Sequence, residues 1–99
     1  MSDWRELLED WGIPYIQRGG VTLVARSVAP ACIKLIYERG CLFYGYDAFT
    51  LTTEWIQPHM EWSPSWKDGE APTPTELLVQ LSSHPPEVTH YAFVFKGAA

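Results

Sequence analysis

The sequence predicts a small α+β domain, in which an antiparallel-rich sheet carries helices on one face. The 99 residues fit a single domain, 1–99, that can bury a core without disulfides or metals. Runs of β-branched and aromatic residues at 21–26, 41–51, 55–62 and 88–95 predict strands. Helix start and stop signals bracket two segments between these runs, and this alternation indicates the mixed class.

The first element is a predicted helix from Asp3 to Trp11, which Ser2 or Asp3 can cap. Its apolar residues recur at helical spacing on one stripe: Trp4, Leu7, Leu8 and Trp11. Gly12 ends the helix. We expect the stripe to dock on the body of the domain, although two tryptophans on one short helix could instead form a partner surface.

The next segments are extended and then ambiguous. Residues 13–17 can be extended, Arg18-Gly19-Gly20 predicts a turn, and Val21 to Arg26 predicts a strand. Residues 27–39 allow two interpretations. As a helix, the segment has Ser27 as its cap and Pro30 in the tolerant first turn. As a strand, it would form a hairpin with the segment that follows. The signals at both ends favour the helix.

The aromatic centre of the chain predicts two strands. Cys41 to Leu51 has apolar residues at both alternating positions, so we expect both of its faces to be covered, with a bulge or close approach at Gly45. Trp55 to Trp62 alternates as well, and Pro58 predicts that it lies at an edge of the sheet because proline has no N–H to donate.

The last third of the chain predicts a loop, a helix and a strand. Ser63 to Pro72 is rich in proline, glycine and serine and predicts a surface loop. Thr73 to Ser83 predicts a helix, since Thr73 and Glu76 form a capping box around Pro74. Residues 88–95 are apolar on both faces and predict a central strand.

These elements give the order helix, then β-α-β-β-α-β, which is the ferredoxin-like order with an additional N-terminal helix. If residues 27–39 form a strand instead, the core is an antiparallel β-meander with two helices.

The charge of the chain argues against several classes of partner. The net charge is −5, and residues 41–87 carry seven acids against one lysine. Nucleic-acid binders usually carry a basic excess, so we expect no nucleic acid among the partners. No apolar run is long enough to span a bilayer, and the acidic N-terminal segment does not fit a secretory signal. We therefore expect a cytoplasmic protein, with no membrane partner and with Cys32 and Cys41 as reduced thiols.

No motif identifies a reaction, a metal or a cofactor. The soft ligands lack the close spacing of structural zinc sites: Cys32, Cys41, His59, His84 and His90. The chain has no nucleophile elbow and no glycine-rich nucleotide loop. We therefore expect no metal and no cofactor, and the sequence leans away from an enzyme.

The best functional signal is an aromatic and acidic face on the predicted edge strand and the loop after it. Tyrosine and tryptophan are enriched at protein interfaces, and surrounding acids suit a basic partner. The residues of this face are Trp55, His59, Glu61, Trp66, Asp68 and Glu70. The sequence thus predicts a protein-binding module. As a class, small acidic cytosolic domains without an active-site motif resemble inhibitor and immunity proteins, which implies a basic protein as the partner.

Two other functions stay open at this point. A small enzyme or ligand-binding domain could have a pocket near Tyr46, Asp47 and His90, where Asp47 places a carboxylate in an apolar run. A self-associating structural subunit could pair through residues 55–62, although Pro58 disfavours free edge pairing.

Overall fold

The computed structural model describes residues 4–96. Within this range the chain forms three α-helices, five strands and one 3-10 turn. The helices are α1 (Trp4–Asp10), α2 (Ala29–Glu38) and α3 (Pro74–Ser82), and the 3-10 turn is Met60–Trp62. The strands are β1 (Ile16–Arg18), β2 (Val21–Ala25), β3 (Leu42–Leu51), β4 (Ile56–His59) and β5 (His90–Lys96). The predicted capping residues Ser2 and Asp3 lie outside the described residues.

The five strands form one sheet in the order β1-β2-β5-β3-β4, and every neighbouring pair is antiparallel. β2 and β3 both pair with β5, so they run parallel to each other, and α2 connects them across the intervening strand. α3 connects β4 to β5 across β3 in the same way. The α+β class is confirmed. The ferredoxin-like arrangement is not confirmed, and the antiparallel alternative fits the strand order.

Residues 29–38 are helical, which settles the ambiguous segment. Pro30 lies in the first turn, where its missing N–H costs nothing. The predicted cap at Ser27 is wrong, because Val28 occupies the N-cap and contributes no side-chain hydrogen bond. Helix formation here rests on burial of the apolar face rather than on the cap. That face carries four buried residues: Ala29, Cys32, Ile33 and Ile36.

α3 begins as the sequence predicts. Thr73 Oγ1 accepts a hydrogen bond from the Glu76 backbone N–H, and the Glu76 carboxylate accepts one from the Thr73 N–H. The capping box is therefore complete. Leu77 and Leu81 are the buried residues of the helix, and they face the core that α2 also covers.

The C-terminal end of α3 is held by a residue of another element. The Arg26 guanidinium, at the end of β2, donates hydrogen bonds of 2.6–3.3 Å to carbonyl oxygens of the helix end and of the turn that follows it. The acceptors are the carbonyls of Leu81, Ser82, His84, Pro85 and Val88. Arg26 thereby joins α3 to the sheet.

β4 lies at the edge of the sheet, as Pro58 predicts, but it is shorter than expected. The strand stops at His59, and Met60–Trp62 turn as a 3-10 helix. The chain then returns to β3, since the Tyr46 N–H donates to the Pro64 carbonyl at 3.2 Å and the Trp66 N–H donates to the Tyr44 carbonyl at 2.7 Å. The edge of β3 is therefore covered along most of its length.

Gly45 marks the close approach that the sequence predicts. It lies at a shift in register between β3 and β5, and a Cβ atom there would lie 2.5 Å from the Pro64 carbonyl oxygen. Only glycine leaves room for the returning chain at this point.

The two faces of the sheet differ in their cover. The expectation that both faces of β3 are covered is only partly correct, because Leu42 is 42% exposed although Phe49 is buried. One face packs on the three helices and carries Tyr46, Ala48, Tyr91 and Phe93 in the core. On the other face Val94 is 48% exposed. β5 is central, as predicted, but it begins at His90, and Val88 is buried in the turn before it.

The sheet is also strongly curved, in the form of a half-barrel. The Arg18 guanidinium in the β1–β2 hairpin donates a hydrogen bond of 3.4 Å to the Thr53 carbonyl in the β3–β4 turn, although the strands concerned lie at opposite ends of the sheet order. Leu23 and Phe49 are also buried, although they alternate with core residues and lie outside the main core cluster.

Candidate functional site

The six residues of the predicted face follow one edge of the sheet. β4 pairs with β3 from Leu51 to Ala48, and the chain after the 3-10 turn continues along β3 as far as Tyr44. Seven residues of strand correspond to about 23 Å. The predicted residues therefore form a line along this edge rather than one cluster. We call residues 54–61 the β4 edge and residues 63–70 the return loop.

Trp55 is the exposed tryptophan of the β4 edge, with 48% of its surface accessible. Its backbone is nevertheless fixed. The Thr52 hydroxyl oxygen accepts hydrogen bonds from the Trp55 N–H at 3.1 Å and from the Glu54 N–H at 3.3 Å, and the Thr52 N–H donates to the Trp55 carbonyl at 3.0 Å. The Thr52 side chain thus closes a turn that contains no glycine and needs no positive φ. A rigid backbone presents this indole to solvent.

His59 lies on the helix side of the sheet, opposite Ala48. Its Nε2 lies 2.6 Å from Thr50 Oγ1, and the Thr50 hydroxyl donates its proton to the Glu87 carbonyl. His59 Nε2 must therefore be the donor to Thr50. Its Nδ1 lies 3.5 Å from the exposed Glu61 carboxylate, which forms an ion pair only when the ring is protonated. His59 thus fixes the β4 edge from the helix side of the sheet.

Trp66 turns inward. Its ring centroid lies 6.2 Å from that of Phe43 and 6.3 Å from that of Tyr46, and it packs against the core. The sequence left open whether this tryptophan returns to the sheet or faces a partner, and the structure shows the first. This packing holds the return loop against the sheet.

The return loop presents two exposed acids. The Tyr44 hydroxyl forms a hydrogen bond with Asp68, and this bond raises the pKa of Tyr44. Glu70 is exposed, and its N–H closes a turn onto the Lys67 carbonyl at 3.0 Å. With Glu54 and Glu61, these residues give positions 54–70 four exposed acids against one lysine, and Arg18 reaches the Thr53 carbonyl beside Glu54.

Sequence reasoning missed Met60, which is 78% exposed. Strict alternation placed it on the face opposite Trp55 and His59. The 3-10 turn ends that alternation, so Met60 points away from the sheet beside Glu61. A local signal for the turn is hard to find, because Met60 and its neighbours are compatible with a strand.

A second polar cluster lies behind the edge and was not predicted. The Tyr46 hydroxyl donates to Gln80 Oε1 at 2.9 Å and accepts from His84 Nε2 at 2.9 Å. Burial raises the pKa of Tyr46 to about 12. Burial, with a smaller effect from the Arg26 charge, lowers the pKa of His84. Both groups are therefore neutral at pH 7, and they join α3 to β3.

Trp62 lies between this cluster and the β4 edge. Its ring centroid lies 5.2 Å from that of His59 and 5.8 Å from that of His84. The contacts form a continuous path from the exposed edge to the C-terminal end of α3. They fix the position of the 3-10 turn that carries Glu61.

The residues of the alternative pocket do not meet. Tyr46 faces the helices, whereas Asp47 pairs with Ala92 and, with His90, lies on the other face of the sheet. His90 Nδ1 lies 2.8 Å from Thr89 Oγ1, and burial lowers the pKa of His90. Alternation along β3 separates the tyrosine from the other two side chains.

The cysteines lie apart from the other possible metal ligands in the described part of the chain. Cys32 and Cys41 are free thiols, and burial raises the pKa of Cys32 to about 12, so its thiolate is not populated at pH 7. Among residues 4–96, no group of three or more His, Cys, Asp or Glu side chains is arranged to hold a metal ion. In the same range, no helix has both the length and the apolar character that crossing a bilayer requires.

Comparison with known proteins adds no relative. The chain matches no protein-family model, no curated protein sequence and no solved structure, so its function has to be argued from the geometry of its own residues.

Proposed function

We propose that this chain is a protein-binding module that contacts a basic protein through the β4 edge and the return loop. The observation that carries the proposal is the half-exposed Trp55 indole on a hydrogen-bonded turn beside exposed acids. A fixed aromatic ring adds contact area at a low entropic cost. Acids around it favour a partner that offers lysine or arginine.

The mode of contact follows from Pro58. Strand addition at an edge needs backbone N–H groups along the strand, and Pro58 removes one from the middle of β4. The return loop occupies the β3 edge beyond it. Recognition therefore runs through side chains. Trp55 and Met60 supply apolar area, while Glu54, Glu61 and Asp68 supply charge.

The charge pattern suggests the role of the complex. An acidic edge speeds association with a basic surface and disfavours other acidic proteins. A cytoplasmic inhibitor or immunity-type protein that covers the site of a basic enzyme has these properties. His59 and Trp66 act as positioning residues in this scheme, because both side chains are held against the body of the domain.

The test uses an edge variant and a matched control variant of the full chain. The edge variant is Trp55→Ala with Glu61→Lys. The control is Val79→Ala with Glu38→Lys, which makes the same charge change at exposed positions on α3 and α2. Both variants and the wild type are immobilised and exposed to extract of the native cell, and retained proteins are identified by mass spectrometry.

The expected result is a basic protein retained by the wild type and by the control but not by the edge variant. Calorimetry with that purified protein should show about a tenfold or greater loss of affinity for the edge variant. Equal affinity of the edge variant and the wild type would rule out this surface. Retention of an acidic or neutral protein only would rule out the basic partner.

A further inference from the structure

A cleft of about 430 Å³ lies at the end of the sheet opposite the β4 edge, where α1 meets the β1–β2 hairpin and β5. Both polar and apolar side chains line the cleft. The polar side chains are Arg5, Gln17 and Thr22, and the apolar wall is formed by Trp4, Val21 and Ala92. No residue of the β4 edge or of the return loop is among those that line this cleft.

Arg5 has a hydrogen-bond donor that is unpaired within the described part of the chain. Its Nε atom is buried and has no hydrogen-bond partner among residues 4–96. A buried donor on a charged group loses hydration without compensation, and native structures rarely leave one unpaired. The guanidinium offers Nε–H and a parallel Nη–H in a fixed plane, which is the geometry that binds a carboxylate through two hydrogen bonds. Because Nε has almost no accessible surface in the free protein, the Arg5 side chain has to turn toward the cleft for a carboxylate to reach this donor.

Thr22 supplies a second donor. Its hydroxyl oxygen accepts a hydrogen bond of 3.1 Å from Gln17 Nε2, and the residue is only 9% exposed. The hydroxyl hydrogen is then left to donate to another acceptor. The cleft thus combines a charged fork, a hydroxyl donor and an apolar wall that includes an indole ring.

We propose that this cleft binds a small organic monocarboxylate with an apolar or aromatic body. The carboxylate accepts hydrogen bonds from Arg5 and Thr22, and the body packs against Trp4, Val21 and Ala92. A monoanion fits better than a phosphate, because α1 also carries Glu6, Glu9 and Asp10 around its one arginine. Their combined potential opposes a second negative charge in the cleft. The proposal is independent of the β4 edge.

The test is nuclear magnetic resonance of the ¹⁵N-labelled full chain, including the Arg5 Nε–H signal. Sodium benzoate is titrated at constant ionic strength, with sodium phosphate and sodium chloride in parallel. We expect saturable shifts of the Arg5 Nε–H and of the Gln17 and Thr22 amides with benzoate alone. Arg5→Lys, which keeps the charge but not the fork, should weaken binding by about tenfold.

Two further variants sharpen the result. Thr22→Val keeps the shape of the side chain and should weaken benzoate binding several-fold, whereas Arg18→Lys, an arginine of the adjacent hairpin, should leave it unchanged. If Arg5→Lys does not fold, the benzoate titration of Thr22→Val and the Arg5 Nε–H signal of the wild type test the proposed carboxylate site instead. Shifts that never saturate, equal binding of phosphate, or unchanged affinity in Thr22→Val would overturn the proposal.

Discussion

Trp55 combines an ordered backbone with an exposed ring, and the two properties have separate causes. The Thr52 hydroxyl satisfies the N–H groups of Glu54 and Trp55, so the turn does not depend on where the ring packs. The other described tryptophans each contact a further ring: Trp4 and Trp11 contact Phe95, Trp62 contacts His59, and Trp66 contacts Phe43. The amino-acid composition does not show which tryptophan is exposed, because the exposure of each ring is set by contacts with residues far away in the chain.

The position of Trp55 among acids predicts how ions quench its fluorescence. At low ionic strength, quenching of the protein relative to a free tryptophan amide should be larger for caesium than for iodide, because Glu54 and Glu61 attract cations and repel anions. The difference should narrow with added salt as the charges are screened. Trp55→Phe should remove most of the caesium-sensitive emission, whereas Trp66→Phe should not. Equal caesium quenching in these two variants would contradict the assigned exposure.

Gly45 predicts a stability effect at a single position. In Gly45→Ala the new methyl group would meet the Pro64 carbonyl oxygen of the return loop, which is backbone and cannot rotate away. We expect a loss of about 2 kcal/mol in the free energy of unfolding, as for other overpacked sites. Urea denaturation measures it. Ser65→Ala, at the exposed residue that bridges to Gly45, is the control and should change stability by less than about 0.5 kcal/mol.

At the scale of the elements, the attachment of α3 to the sheet depends on both of its ends. The capping box at Thr73 is local and satisfies the first N–H groups of the helix. The last carbonyls are satisfied by Arg26, which lies 55 residues or more away in the chain. Tyr46 adds a third tie through Gln80 and His84. The helix is therefore held by contacts that link β2, β3 and the turn before β5.

Replacing Arg26 should loosen this end of the domain. Arg26→Met removes a group that donates to five carbonyls, and we expect a loss of about 2 kcal/mol in the free energy of unfolding. The free energy of unfolding of Arg26→Lys should lie between those of the wild type and Arg26→Met, because an ammonium group cannot donate to so many carbonyls at once. Hydrogen exchange of residues 81–88 should rise in Arg26→Met.

The exposed Arg39 at the end of α2 gives the control, and Arg39→Met should alter stability by less than about 0.5 kcal/mol. If Arg26→Met were as stable as Arg39→Met, the hydrogen bonds of Arg26 would not be what holds α3.

At the scale of the whole molecule, the domain depends on two histidines that burial keeps neutral. Burial lowers the pKa of both His84 and His90 below the ordinary value of 6.5, and the Arg26 charge adds to the effect at His84. The unfolded chain then binds protons at a higher pH than the folded chain. The contribution of these two histidines to the free energy of unfolding is fully present above pH 6.5. It is lost as the pH falls through and below that value.

This linkage predicts the pH dependence of unfolding. Between about pH 7.5 and pH 5.5 the melting temperature should fall, and His84→Gln with His90→Gln should reduce the slope. Each single variant should remove part of it. Thermal melts followed by circular dichroism at several pH values give the measurement. A double variant that keeps the full slope would place the pH dependence in other groups.

The sequence by itself determined the elements whose signals are local. Thr73, Pro74 and Glu76 set the start of α3, Pro58 placed β4 at an edge, and Gly45 marked a close approach, because each acts through its own backbone and near neighbours. The candidate edge followed from the same alternation and stays a prediction as a binding surface. The structure shows Trp55 exposed, but it also exposes Met60, which the alternation placed on the opposite face, and it packs Trp66 against Phe43.

Only the tertiary structure decided the strand order, the end of β4 at His59 and the inward turn of Trp66. It also decided that Arg26 caps a helix far away in sequence and that Tyr46 and Asp47 face opposite sides of the sheet. These features depend on pairing and packing between distant residues, where several arrangements satisfy the same local pattern. The arrangement that forms is the one that buries the shared core of the three helices and the sheet.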